Sequence, residues 1–184
     1  MRIVANFFMS LDGVVEAPHE WQSPFMNDEV GRAIGAGFAT SDALLMGRVT
    51  YEEWFAVWPH RADDPMADAI NGARKYVVSD TLDSVAWEGS TLVSGDVEDQ
   101  IRALKEQPGR DLTMSGSGTL ATWLLERDLL DALHLLVHPL VLGRGRRLFG
   151  PGLRSTTLAL TSSEQFSNGV VHLTYGPAAA TASV

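Results

Sequence analysis

The hydrophobic and polar positions of the chain form two kinds of pattern that alternate. Six short apolar runs bounded by polar or turn residues predict buried strands at residues 3–9, 42–46, 76–79, 91–93, 112–115 and 133–137. Two further strand-like runs, 158–166 and 170–175, flank Asn168-Gly169. That dipeptide favours a tight hairpin turn. We therefore expect eight strands, of which the last two form a hairpin.

Helical spacing separates these strands. Asn27 is placed to cap a helix with Val30, Ile34 and Phe38 on one face. Four more helices are predicted from the capping-box pair Thr50 and Glu53, from Asp64-Pro65 with Met66 facing inward, from Asp96, and from the glycine turn before Leu120. Strands that alternate with helices predict an α/β fold with a mostly parallel eight-stranded sheet, covered on both faces and ending in an antiparallel hairpin.

The length favours a single domain. The chain has 184 residues, and two domains would each be near the lower limit of size. We expect one domain over residues 1–176 and a flexible tail over 177–184. No targeting signal is found near the start, and no run approaches the ~18 apolar residues of a membrane span. The expected location is therefore cytoplasmic.

Charge and cysteine content exclude several classes of partner. The net charge is −9, so binding to nucleic acid or to an anionic membrane is not expected, whereas a small molecule is. The chain has no cysteine, which excludes disulfides, thiol nucleophiles and thiolate metal sites. His134 and His138 share one face of a predicted strand, but no third ligand is evident, so we expect no metal site.

Candidate chemistry lies where predicted strands run into helices, because ligands of such sheets bind beyond the carboxyl ends of the strands. Gly47-Arg48 combines a helix N-terminus with a guanidinium group and suits an anion. Residues 116–118 (GSG) can hold a diphosphate on backbone N–H groups, and Ser79 can contact a ribose or phosphate. The alternatives are an ordinary turn, glycines used for packing, and a polar turn.

The order and spacing of these motifs resemble the dihydrofolate reductase fold and, more closely, the reductase domain of bacterial riboflavin biosynthesis, the RibD C-terminal domain. The motifs are residues 10–13 (SLDG), 46–52 (MGRVTYE), 75–79 (KYVVS), 115–118 (SGSG) and 138–149 (HPLVLGRGRRLF). The resemblance covers nearly the whole chain. It implies a three-layer dihydrofolate reductase-like fold and an oxidoreductase that uses NADPH.

The resemblance also implies which residues meet the cofactor. The implied contacts are Gly47, Arg48 and Thr50 for the adenosine phosphates, Ser79 for the adenine ribose, and Gly116, Ser117, Gly118 and Thr119 for the diphosphate. Asp80 stands where many relatives carry a basic residue that meets the 2′-phosphate. A preference for NADPH over NADH therefore depends mainly on Arg48.

The substrate side is less specific. Trp21 resembles the tryptophan of the mobile loop in dihydrofolate reductases, but Met26 stands where those enzymes carry a carboxylate. Asp12 and Asp28 are candidates for handling the proton, and their alternatives are an Asp-Gly turn and a helix N-terminal charge. Arg144 and Arg146 belong to a basic cluster that is either a phosphate anchor or a solvated loop.

Two functions of different classes stay open. The first is a reductase, whose reference substrate in the family is 5-amino-6-(5-phosphoribosylamino)uracil and whose alternative substrates are other heterocyclic or carbonyl compounds, including dihydrofolate. The second is a nucleotide-binding module without turnover. A homodimer is expected from the family, and also because residues 133–142 present more apolar surface than one small domain readily covers.

Overall fold

The computed structural model describes residues 1–178, in which eight strands alternate with five α-helices. The strands are β1 (Arg2–Ser10), β2 (Ser41–Gly47), β3 (Arg74–Val78), β4 (Ser90–Val93), β5 (Asp111–Ser115), β6 (Ala132–His138), β7 (Leu158–Gln165) and β8 (Val171–Pro177). The helices are α1 (Asp28–Ala39), α2 (Arg48–Phe55), α3 (Pro65–Gly72), α4 (Val97–Glu106) and α5 (Gly118–Glu126). Pro177 ends β8, and the rest of the predicted tail from residue 179 onward lies outside the described residues.

All eight strands form one sheet in the order β4-β3-β2-β5-β1-β6-β8-β7. The pairs among β1 to β6 are parallel, and β8 runs antiparallel to both β6 and β7. The predicted mostly parallel sheet with an antiparallel C-terminal hairpin is confirmed. The carboxyl ends of β1, β2, β3, β5 and β6 consequently meet at one edge, where we expected the chemistry.

Helices cover both faces of the sheet because neighbouring strand residues point to opposite sides. Leu45 and Leu135 pack in the largest core cluster with Ile101 of α4 and Leu124 of α5. On the other face, Leu44 packs with Tyr51 and Ile70, and Leu136 packs with Val30 of α1 and with the hairpin. The apolar residues on both faces of β6 are thus covered within the chain, whereas Val141 beyond the strand is 67% exposed, so the dimer stays a prediction.

The predicted N-caps were correct for α1 and α3 but wrong for α4, where Asp96 is the N-cap residue and its side chain makes no capping hydrogen bond. Asn27 accepts from the N–H of Val30 at 3.0 Å, and Asp64 accepts from the N–H groups of the first turn of α3. The capping box at Thr50 was wrong, because α2 begins two residues earlier with Gly47 as N-cap. Met66 was also wrong as an inward residue: it is 38% exposed, and Ala67 is buried instead.

Candidate functional site

The ends of β2 and β5 are joined by hydrogen bonds between the two strand–helix junctions. The hydroxyl oxygen of Ser117 accepts from the N–H of Gly47 at 2.9 Å, and the hydroxyl of Ser117 donates to Thr50 Oγ1 at 2.9 Å. The N–H of Ser117 also donates to Thr50 Oγ1, at 3.1 Å. Because β2 and β5 are neighbours, these bonds hold the N-termini of α2 and α5 side by side.

Both of these helix N-termini lack a side-chain cap, as does that of α4, whereas α1 and α3 are capped. Their N-cap residues are Gly47 and Ser117, and Ser117 has a left-handed backbone with φ 58°. The first N–H groups of a helix have no partner within the helix and carry the positive end of its dipole. Two such ends side by side form a surface that suits the two phosphates of a dinucleotide.

Glycine is required at residue 116 for two reasons. Gly116 has φ +83°, a conformation that L side chains rarely adopt. A Cβ atom there would also lie 3.3 Å from Thr50 Oγ1, which would displace the atom that links the two junctions. Gly118 differs, because a Cβ there would make ordinary contacts with Leu148 and Val15 at 3.7 and 3.8 Å. A side chain therefore fits at residue 118, and neither packing nor backbone conformation requires glycine there.

Arg48 and Ser79 flank this surface. Arg48 donates to Glu52 at 2.8 Å, and its side chain is 43% exposed. An exposed pair four residues apart on a helix contributes only about 0.3–0.5 kcal/mol, so the guanidinium can readily exchange Glu52 for a ligand phosphate. The hydroxyl oxygen of Ser79 accepts from the N–H groups of Thr81 and Leu82, both at 3.1 Å. These bonds favour the polar-turn interpretation of Ser79.

A small pocket of about 40 Å³ lies between α1 and the sheet. Asn6, Ser115 and His134 line it at the same register of three neighbouring strands, and His172 of β8 lines it beside them. Ser115 directly precedes Gly116, so the pocket adjoins the two linked junctions. Sequence reasoning missed Asn6 and His172, because the pairing of their strands brings them to one pocket and no local sequence pattern indicates that pairing.

The loop between β1 and α1 covers a buried histidine. His138 is fully buried, and the rings of Trp21 and Phe25 meet it edge-on with centroids at 5.2 and 5.4 Å. His138 Nδ1 lies 2.8 Å from the carbonyl oxygen of Leu136, and burial lowers the pKa of this imidazole. Trp21 therefore seals the end of β6, and its own Nε1–H donates to the carbonyl of Glu16 at 2.9 Å.

Comparison with known proteins decides the family. Residues 1–172 match the model of the RibD C-terminal domain. The chain belongs to the RibD C-terminal domain family. Protein YyaP of Bacillus subtilis (strain 168) is 27% identical over 181 residues, which are 95% of this chain and 94% of YyaP. The family groups the chain with riboflavin-biosynthesis and dihydrofolate reductase-like reductases.

Solved structures confirm the fold. A putative riboflavin biosynthesis protein from Shewanella sp. PV-4 has a TM-score of 0.78 and 25% identity, and the match covers 96% of this chain and 98% of that one. Dihydrofolate reductase from Enterococcus faecalis, solved with NADP(H) and RAB-propyl, has a TM-score of 0.63 and 15% identity, with 95% of each chain covered. Among residues 1–178, no helix is long and apolar enough to cross a membrane.

Asp12, which follows β1, holds a loop. Its Oδ1 accepts from the Ser10 hydroxyl at 2.7 Å and from the N–H of Leu142 at 3.0 Å. Its Oδ2 accepts from the N–H of Gly143 at 3.0 Å and from Arg147 at 3.2 Å. The Ser10 hydroxyl, followed by the N–H of Leu142, holds the pKa of this carboxyl far below its usual range. Four donors on an ionised carboxylate favour the structural role of Asp12.

The other predicted substrate residues lie at the surface. Asp28 is exposed in the first turn of α1, two residues beyond Met26, which is 45% exposed. The N–H of Arg146 donates to Glu16 Oε2 at 2.9 Å, and its guanidinium lies 3.7 Å from the same carboxylate. Arg144 has no carboxylate partner within 4.0 Å in the part of the chain that the structure describes. Arg144 is thus the cation of the cluster that is free for an anion.

Proposed function

We propose that the protein is an NADPH-dependent reductase of a small heterocyclic or carbonyl substrate. The observation that carries the proposal is the hydrogen-bonded contact between the starts of α2 and α5, where Ser117 joins Gly47 and Thr50. Two uncapped helix N-termini held together suit the paired phosphates of a dinucleotide. Membership of a reductase family supports the assignment of this surface to a nicotinamide cofactor.

The residues present fit such a cofactor. NADPH, when bound, supplies a hydride to the substrate. The residues proposed to hold it are Gly47, Arg48, Thr50, Ser79, Gly116, Ser117, Gly118 and Thr119. The first N–H groups of α5 would bind the diphosphate, because the side chain of the N-cap residue Ser117 does not cap them. Arg48 would pair with the 2′-phosphate and offset the exposed Asp80, so the preference for NADPH over NADH depends on Arg48.

The substrate is proposed to bind beside α1, next to the linked junctions and below the loop that carries Trp21. The reference substrate of the family, 5-amino-6-(5-phosphoribosylamino)uracil, carries a phosphate for which Arg144 and Arg146 are the proposed anchors. Met26 in place of a carboxylate argues against dihydrofolate. Asp12 and Asp28 stay the candidates for handling the proton, and the four bonds of Asp12 favour Asp28 for this role.

Two measurements test the proposal. Quenching or enhancement of NADPH fluorescence on titration with the protein reports binding. Oxidation of NADPH is then followed with the reference aminouracil phosphate and with a panel of heterocyclic and carbonyl compounds. Saturable NADPH binding with turnover of any member supports a reductase. A protein that binds no nicotinamide nucleotide contradicts the proposal.

A second function is favoured by Met26, which removes the carboxylate that dihydrofolate reductases use. The chain would then be a nucleotide-binding module without turnover. Saturable NADPH binding with no oxidation across the whole panel would favour it over the reductase. A homodimer and a cytoplasmic location also stay predictions.

A further inference from the structure

Two histidines meet in the wall of the pocket beside α1. His134 Nδ1 lies 3.2 Å from His172 Nε2, and the ring centroids are 5.3 Å apart. At this distance one nitrogen carries the hydrogen and the other accepts it. The pair therefore holds a single shared hydrogen between two rings, and exchange of tautomers reverses the direction of the bond.

The surroundings of the two rings favour their neutral forms. Two imidazolium rings would place two N–H donors against each other at 3.2 Å, which the observed contact excludes. Burial also lowers the pKa of each histidine below its ordinary value. The nitrogens outside the pair, His134 Nε2 and His172 Nδ1, make no hydrogen bond within residues 1–178.

The rest of the pocket wall carries no formal charge. No Asp, Glu, Lys or Arg lines it among the described residues. Its α1 side is apolar, with Ile34 and Phe38, and its sheet side carries Asn6 and Ser115. An ionised ligand group would lose its water here without gaining a counter-charge, which is costly. The group that enters is therefore uncharged.

One row of polar side chains connects the histidine pair to the linked junctions. Ser115, Asn6, His134 and Thr174 are register partners across β5, β1, β6 and β8. Neighbouring strands are ~4.8 Å apart, so Ser115 and His134 are about 10 Å from each other across β1. A flat ring can span this distance with one edge on the histidines and the other toward Gly116.

We propose that the His134–His172 pair recognises the edge of an uncharged cyclic amide, in which an N–H stands next to a C=O. The exchangeable hydrogen of the pair lets the same two rings offer a donor or an acceptor to that edge. The volume of about 40 Å³ admits the polar edge of a ring, and the remaining atoms extend toward Ser115. The inference rests on the proposed function in one respect only, namely that the bound ring is the part of the substrate that reacts.

The test uses 2-pyridone as the probe and the five histidines of the chain as reporters. Long-range proton–nitrogen NMR spectra report the tautomer of each imidazole, and single His→Gln variants assign the signals. We expect 2-pyridone to shift the ring nitrogens of His134 and His172 in a saturable manner. The internal controls are His19 and His60, which lie outside the pocket and should not shift. Equal shifts at the control histidines, or no saturable shift, overturn the proposal.

Matched variants check the location and the chemistry. Gly37→Ala places a Cβ 3.3 Å from Asn6 Oδ1 inside the pocket, whereas Gly35→Ala on the same helix has open space within 4 Å. Only Gly37→Ala should weaken 2-pyridone binding. His172→Phe keeps an aromatic ring but removes the hydrogen bonds, so binding should weaken by about threefold to tenfold. Wild-type affinity in both Gly37→Ala and His172→Phe overturns the proposal.

Two further arms separate this proposal from the proposed function. N-methyl-2-pyridone lacks the donor and should bind at least about threefold more weakly than 2-pyridone. Equal binding shows that the pair does not recognise the amide edge and overturns the inference. NADPH is titrated into the same samples. NADPH binding without 2-pyridone binding rejects the histidine site alone, and 2-pyridone binding without NADPH binding rejects the reductase while the histidine site stands.

Discussion

Replacing Gly116 by alanine perturbs the linked junctions most directly. The new methyl group would lie 3.3 Å from Thr50 Oγ1, the oxygen that accepts two hydrogen bonds from Ser117. The backbone would also have to keep φ +83° with a side chain present. Gly152→Ala is a matched control, because Gly152 has φ +91° and nothing within 4 Å of the added Cβ.

The two variants should differ by a predictable amount. A left-handed backbone costs a non-glycine residue about 1–2 kcal/mol, and this cost applies to both variants. A shift of Thr50 additionally weakens two hydrogen bonds that each contribute roughly 0.5–1.5 kcal/mol. Gly116→Ala should therefore lower the free energy of unfolding by about 2–4 kcal/mol. Gly152→Ala should lower it by about 1–2 kcal/mol.

Two assays read the difference. For a chain of this size, each kcal/mol lowers the Tm by about 2–4 °C, which differential scanning calorimetry resolves. NADPH affinity should fall by roughly tenfold or more in Gly116→Ala, the loss expected for one hydrogen bond to a charged group. It should stay unchanged in Gly152→Ala. A folded Gly116→Ala protein with wild-type NADPH affinity would refute the assignment of this junction to the cofactor.

Three further results are expected. Arg48→Ala should weaken the binding of NADPH by ~1.5–3 kcal/mol and the binding of NADH far less. Arg102→Ala removes a comparable ion pair on α4 and should change the binding of neither cofactor. Equal losses for both cofactors would reject the 2′-phosphate contact. Burial lowers the pKa of three histidines from 6.5, so the unfolded chain binds more protons than the folded chain below that pH. The free energy of unfolding should therefore fall from pH 7 to 5.5, and it should fall less steeply in His138→Gln. Urea titrations that give the same pH dependence for both proteins would contradict this. Asp12→Asn should lower the Tm and keep NADPH binding, because its NH2 group replaces one accepting oxygen and would face the N–H groups of the loop. An unchanged Tm would show that the loop bonds are dispensable.

The features that were predictable from the sequence are those fixed by neighbouring residues. Asn27 and Asp64 cap their helices because the donors they satisfy lie two or three residues away. Asn168-Gly169 turns the hairpin because Gly169 adopts φ +84° and the side chain of Asn168 accepts from the N–H of Val170. The alternation of strands and helices in turn predicted the sheet and the edge at which its parallel strands end.

The features that were not predictable depend on contacts between distant segments. Thr50 has capping-box spacing, but Ser117 arrives from 67 residues away and engages its hydroxyl. His134 finds His172 from 38 residues away, a contact set by the register of β6 against β8. The burial of β6 was also not predictable, because no local signal shows that α5 and the hairpin cover it.

The position of β1 in the sheet has a consequence for the chain during its synthesis. β1 is made first, but its two neighbours are β5 and β6, which begin at Asp111 and Ala132. A ribosome that adds ~5–20 residues per second needs about 5–20 s to supply the first of these neighbours. During that interval an apolar strand with two unpaired edges is available to other nascent chains. Soluble yield in the cell should therefore depend on how well chaperones shield this first segment, even in variants whose finished fold is as stable as the wild type.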